Sequence, residues 1–105
     1  MPDKLWKAEE RKWAKALGGK RIPNPGQGFA DVIAPPLAVQ IKTRESLPNW
    51  FLDAFEQAER DARKIDHIAA LGLTYHPGRG IKSRRFIVLD LEEFVILMNA
   101  PWREE

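Results

Sequence analysis

The 105-residue sequence contains no cysteine. That excludes a disulfide framework, a thiolate zinc site and a cysteine nucleophile, leaving oxygen donors, or His67 and His76, to hold any metal. Two histidines with neither sulfur nor a third histidine make a poor zinc set. Long hydrophobic runs are missing too: the longest, Phe94 to Met98, falls far short of the ~20 residues of a membrane-spanning helix. No basic segment followed by an apolar stretch opens the chain in the manner of a secretory signal, so the expectation is a cytoplasmic protein with no membrane partner. There is no internal repeat, low-complexity tract or linker. A chain of 12.0 kDa buries about two-thirds of its unfolded surface, enough for one modest core, and a single domain over 1–105 is expected.

What is present is the composition of an ordinary globular protein, 44% hydrophobic and 30% charged, with four tryptophans as large anchors. The net charge is only +2, but it is unevenly spread: nine Lys/Arg stand against four Asp/Glu in residues 1–44, and eight against eleven in the remainder. A basic face gains affinity from phosphates even when the total charge is small, so the asymmetry is a mild pointer to a polyanionic partner.

The chain reads as α, β, β, β, α, β, β, α. Asp3 is placed to cap a helix that runs to Leu17 and stops at Gly18-Gly19. At about 100° per residue Leu5, Trp6, Trp13, Ala16 and Leu17 gather on one face and Lys4, Lys7, Arg11 and Lys15 on the other, with Glu9 and Glu10 on the apolar side. Residues 20–28 hold two Pro and two Gly and support at most a short edge strand and a loop. Phe29 to Ala34 reads as a strand, Pro35-Pro36 as a turn, and Leu37 to Arg44 as a second strand. Its alternation puts Gln40 and Lys42 on one side and Ile41 on the other. A second helix begins near Ser46-Leu47-Pro48, with Ser46 as a cap and a stripe of Trp50, Phe51, Ala54, Phe55, Ala58, Ala62 and Ile65. Strands are expected over Ile68 to Tyr75 and Phe86 to Leu91, joined by the loop His76 to Arg85. A last helix covers Glu92 to Asn99 and ends before Pro101. The expected architecture is α/β, a small mixed β-sheet flanked by helices.

Few polar residues occupy positions where the pattern wants an apolar one: Glu9 or Glu10, Asp31, Gln40 and Lys42. Carboxylates with a carbonyl oxygen and no sulfur are the ligand set of a hard cation such as Mg²⁺, which commonly bridges protein carboxylates to phosphate. A lysine beside such an ion can orient or deprotonate the attacking water, or stabilise charge developing on phosphate.

A Glu in the first helix, Asp31, and then Gln40-Ile41-Lys42 nine residues on resemble the signature of the PD-(D/E)xK nuclease superfamily, and within it the small Holliday junction resolvases of archaea and some phages. The resemblance extends to the Glu10-Arg11 pair, to the segment Arg21-Ile22-Pro23-Asn24-Pro25-Gly26 before the Asp, and to Gln57 on the following helix. It implies a restriction-endonuclease-like αβββαβ core and a Mg²⁺-dependent endonuclease, with Mn²⁺ able to substitute, that resolves four-way DNA junctions. The metal ligands implied are Glu10, Asp31, Gln40 and the backbone carbonyl of Ile41. Lys42 would position the water, and Gln57 would complete the catalytic set. Gln40 stands where the family usually has Glu and offers a carbonyl oxygen without charge, and Asn24 stands where the archaeal enzymes tend to carry Ser.

The cations expected on DNA are Lys20, Arg21 and Arg44 beside the metal, with Asn24 able to bond a phosphate oxygen, and Arg79, Lys82, Arg84 and Arg85 on the Gly-containing loop. Symmetric cutting of a junction by a chain with one site implies a two-fold homodimer, whose contact is expected to involve Phe94, Ile96, Leu97, Met98 and Trp102. Three alternatives stay open on the residues alone: Glu9 in place of Glu10, a nuclease acting on linear or damaged duplex, and a catalytically silent junction-binding module. Trp50 and Phe51 are equally open between core and a stacking or dimer surface.

Overall fold

The Gly18-Gly19 pair shows how local sequence shapes this chain. In the computed structural model, which describes residues 3–23 and 30–99, the first helix, α1 (Asp3–Leu17), ends on that pair. Gly18 takes a left-handed φ of 67°. Its N–H bonds the Lys15 carbonyl at 3.3 Å, and the Gly19 N–H bonds the Ala14 carbonyl at 2.8 Å, a Schellman closure of the helix end. Gly19 then passes so close to the next layer that a Cβ would lie 2.4 Å from the Ile33 carbonyl oxygen and 2.6 Å from Ala34 Cβ. Asn24, Phe29, Pro101 and Trp102, and the side chains of Asp3 and Lys4, lie outside the described residues.

The chain forms two compact units, Met1–Glu45 and Ser46–Glu105. In the first, β1 (Lys20–Arg21), β2 (Val32–Ala34) and β3 (Leu37–Val39) make an antiparallel sheet in the order β1-β2-β3, with Arg21 opposite Val32 and Val32 opposite Val39. Directly opposed residues share a face, so Arg21, Val32 and Val39 point the same way. α1 packs on β1 and β2. The core is Ala14, the fully buried Val32 and Ile41, flanked by Trp13 and Val39. Leu5 and Trp6, expected on the buried face of α1, are exposed. Strands of two and three residues reach only about 10 Å, whereas a helix of 15 residues runs about 22 Å, and the Schellman turn ties the last turns of α1 to the sheet.

The second unit holds α2 (Asn49–Lys64), the hairpin β4 (Leu71–Tyr75) and β5 (Arg84–Val88), and α3 (Leu91–Asn99). Pro48, not Ser46, is the N-cap of α2, with no side-chain cap bond; its carbonyl accepts from the N–H groups of Phe51 and Leu52. A second Schellman closure ends α2: Asp66 takes φ 56°, and the His67 N–H bonds the Ala62 carbonyl at 3.0 Å. α2 packs on β4 and buries Ala62, while Trp50 and Ile65 lie off the buried face and are exposed. Asp90 caps α3, its Oδ1 accepting from the N–H groups of Glu92 at 2.9 Å and Glu93 at 3.3 Å.

The architecture is thus mixed α/β, with the described strands paired in two small antiparallel sheets, one in each unit, where a single mixed sheet was expected. All pairs among the described residues join consecutive strands, the arrangement that short connections impose. The expected strand over 37–44 also stops at Val39, because beyond it the Ile41 N–H goes to a side chain instead of a ladder.

Candidate metal and nucleic-acid site

Two charged side chains are buried among the described residues, Glu10 at 3% exposure and Asp31 at 7%. A buried carboxylate is costly unless it is paired and hydrogen-bonded. Glu10 is brought inside by its position one turn before Ala14 on the packed face of α1, and Arg21, on the helix-facing side of β1, donates from Nε to Glu10 Oε1 at 2.7 Å. Glu9, its neighbour, remains part exposed and forms a surface pair with Lys12 at 3.3 Å. Of the two glutamates left open by the sequence, Glu10 is the one built into the interior.

Asp31 lies immediately before β2. Its N–H donates to the Val39 carbonyl at 3.0 Å and its carbonyl accepts from Ile22 N–H at 2.9 Å, so its backbone prolongs the ladders on both sides. Its side chain does something else: Oδ2 accepts the backbone N–H of Ile41 at 2.9 Å. That bond pins the segment after β3 beside the aspartate. It leaves Ile41 in the core, with Gln40 and Lys42 both exposed on either side of it. The alternation read from the sequence therefore persists although the ladder has ended. Lys20 and Arg44 are exposed, and Arg44 donates to the Thr43 carbonyl at 2.9 Å.

The buried oxygen donors of this unit suit a hard cation in kind: two carboxylates, and the Gln40-Ile41 segment held to one of them. In number they are few, and no cluster of three histidine or carboxylate side chains forms among the described residues. Arg21 already neutralises Glu10, so Glu10 Oε1 is shared between a guanidinium and any incoming cation. Arg21 was expected as a phosphate contact; its Nε is committed to Glu10, a role with no signal in the sequence because the partners lie eleven residues apart on different elements.

Gln57 belongs to the second unit. Its Nε2 donates to both oxygens of Asp61 at 3.1 Å and its Oε1 accepts from Arg60 at 2.7 Å, while Lys64 reaches Asp61 at 3.3 Å. Hydrogen bonds from Gln57 and then from Lys64 hold the Asp61 carboxyl below the usual carboxylate range. Gln57 and Asp61 border a shallow hollow of about 500 Å³ lined largely by Ala54, Ala58, Ala62 and Ala69. The loop between β4 and β5 is closed by His76 Nδ1 and Ser83 Oγ at 2.5 Å and carries the exposed Arg79 and Lys82; Arg84 and Arg85, expected on the loop, are exposed residues of β5, paired with Tyr75 and Thr74. Asn24 lies outside the described residues.

Comparison with protein-family models, with curated proteins and with solved structures returns no match.

Proposed function

We propose that the chain is a metal-dependent, structure-selective endonuclease that resolves four-way DNA junctions, built on a restriction-endonuclease-like core and acting in the cytoplasm. The observation that carries this reading is the hydrogen bond from Ile41 N–H to the buried Asp31 carboxylate. It brings the two halves of the PD-(D/E)xK-like pattern, the aspartate and the Gln40-Ile41-Lys42 triplet, next to each other, and it keeps a carboxylate in a buried position where charged residues are rare.

Glu10, Asp31, Gln40 and the Ile41 carbonyl would hold Mg²⁺ or Mn²⁺. When bound, the ion lowers the pKa of a water and stabilises charge on a phosphodiester. Arg21 offsets the charge of Glu10, so the two carboxylates alone would not balance a divalent cation, and DNA phosphate would supply further negative charge. Lys42, exposed next to the anchored Ile41, would orient the nucleophilic water. Arg21 donates to Glu10 Oε1 and would share that carboxylate with a bound cation. Lys20 and Arg44 extend the positive surface toward the flanking phosphates. Paired cuts across a junction call for two such sites, hence a two-fold homodimer.

A second reading has its own support. Gln40 supplies no charge, and Arg21 already satisfies Glu10, so a module that recognises junctions without cutting them is also consistent with the donor set. Cleavage of a labelled immobile four-way junction, beside linear duplex of the same sequence, separates the two. The endonuclease gives paired nicks in the junction alone with Mg²⁺ or Mn²⁺, none with EDTA and none with Asp31→Ala, and Gln40→Glu raises the rate. Tight junction binding without a cut in any lane, and without rescue by Gln40→Glu, establishes the silent module. Equal cutting of junction and duplex removes the structure selectivity while keeping the nuclease.

A further inference from the structure

Between Asp66 and Asp90 the chain carries no carboxylate, yet it contains Arg79, Lys82, Arg84 and Arg85. All four are exposed, and none is in an ion pair among the described residues. This stretch contains the β4–β5 hairpin, whose opposed residues include Leu71 with Val88, Leu73 with Phe86 and Tyr75 with Arg84. These six therefore share one face, and Tyr75 and Phe86 are diagonal neighbours on it. The face changes character along its length. Leu71, Leu73 and Val88 are half-buried, whereas Tyr75 is 58% exposed and Phe86 44%. Over Phe86, 4.9 Å from the ring centroid, lies the Arg84 guanidinium. The tip of the hairpin thus presents two aromatic rings and a planar cation on one face, with Arg79 and Lys82 on the connecting loop, while Arg85, opposite Thr74, lies on the other face.

This composition selects for a ligand with its own π-face and negative charge. Exposed aromatics stack on nucleobases whatever the base, a guanidinium adds cation–π attraction, and neighbouring Lys and Arg track the phosphates. A continuous duplex hides its base faces in the stack, so only an unpaired or unstacked base can use such a surface. We infer that Tyr75, Arg84 and Phe86 form a stacking platform for an unpaired nucleobase, with Arg79 and Lys82 of the connecting loop on the adjoining phosphates. The inference rests on the nucleic-acid reading above and adds the feature recognised, a base released from the helix at a branch, gap or flap. A fully paired arm would touch only the cations.

The test uses the full chain in EDTA with a duplex bearing one 2-aminopurine in a single-nucleotide gap. The same duplex without the gap is the control. The wild type quenches the gapped probe and binds it about tenfold more tightly than the control. Tyr75→Ala abolishes the quench and the preference while leaving binding to the paired control unchanged. Phe86→Leu keeps the apolar packing of the hairpin and loses the preference, with an unaltered circular dichroism spectrum. Arg79→Ala with Lys82→Ala weakens binding to both probes and flattens the salt dependence, but the quench at saturation remains. Equal binding of gapped and paired probes by the wild type, or a Tyr75→Ala variant that binds and quenches like wild type, overturns the platform. If metal-dependent junction cleavage persists in that case, the endonuclease reading stands alone. A quench and preference without cleavage in any metal leave the platform and remove the enzyme. A folded chain that binds neither probe overturns both, and capture of an acidic aromatic peptide in place of DNA assigns the face to a protein partner and overturns the platform.

Discussion

At the scale of single residues, Asp31 combines two duties that substitution can separate. Its Oδ2 accepts the Ile41 N–H, a structural bond, and its charge is what a metal would use. Asn keeps an acceptor oxygen and discards the charge, so Asp31→Asn is expected to fold with near wild-type stability and to lose cleavage. Asp31→Ala leaves a buried N–H without a partner and costs about 1–3 kcal/mol in urea denaturation. An Asn variant that cleaves normally counts against the metal role. Asp61 offers a residue-scale test that needs no activity. Its carboxyl is held low first by Gln57 and then by Lys64, so Gln57→Ala is expected to move the Asp61 titration upward, read by NMR. Because the folded value lies below the unfolded one, the small stabilisation that Asp61 gives is present above the unfolded pKa. It fades as pH falls through the folded pKa. An unchanged titration in the variant shows that Gln57 is free of Asp61 in solution, as a catalytic glutamine would be.

At the scale of elements, both long helices end in the same closure with different residues at the left-handed position. Gly18 serves α1 without steric cost, whereas Asp66 serves α2 at φ 56°. Asp66→Gly is expected to stabilise the protein by about 0.5–1 kcal/mol in thermal melts. Gly19→Ala is expected to destabilise by about 1–3 kcal/mol, since its Cβ meets the Ile33 carbonyl at 2.4 Å and one of the two elements has to shift. A neutral Gly19→Ala would mean that α1 does not approach β2 as described. The stop at Gly18-Gly19, the existence of the hairpin and the last helix were legible, because glycine pairs, β-branched runs and short apolar stripes act locally, but β4 starts at Leu71 rather than Ile68 and β5 covers Arg84–Val88 rather than Phe86 to Leu91. The extent of the strand after Pro36 was not. Residues 40–44 alternate like a strand, but alternation reports only which side chains face solvent, and the Ile41 N–H had a competing acceptor in Asp31.

For the molecule as a whole, the apolar surface is larger than the core can use. Among the described residues Ile96, Leu97 and Met98 of α3 are exposed, as are Ile65 and Ile87 in the same unit. If α3 carries the proposed homodimer contact, truncation after Asp90 yields a monomer or an insoluble chain. A soluble truncation with the mass of the intact dimer in light scattering would place the contact elsewhere. No helix among the described residues is long and apolar enough to cross a membrane.

The sequence by itself determined what depends on neighbours along the chain: the helices and hairpin, the two glycines that end α1, the sidedness of Gln40, Ile41 and Lys42, and an acid-free stretch rich in cations. Tertiary structure alone decided the rest. Glu10 rather than Glu9 is buried because Arg21, eleven residues away, is delivered by β1 to the face where a guanidinium can offset the cost of a buried carboxylate. Asp31 gains its partner only when the chain has turned at Pro35-Pro36 and come back with Ile41. Within each unit the strands pair antiparallel because pairing is a contest among strands, and the winner depends on which edges meet in space. Periodicity records which side of an element is buried; what buries it is a property of the folded chain.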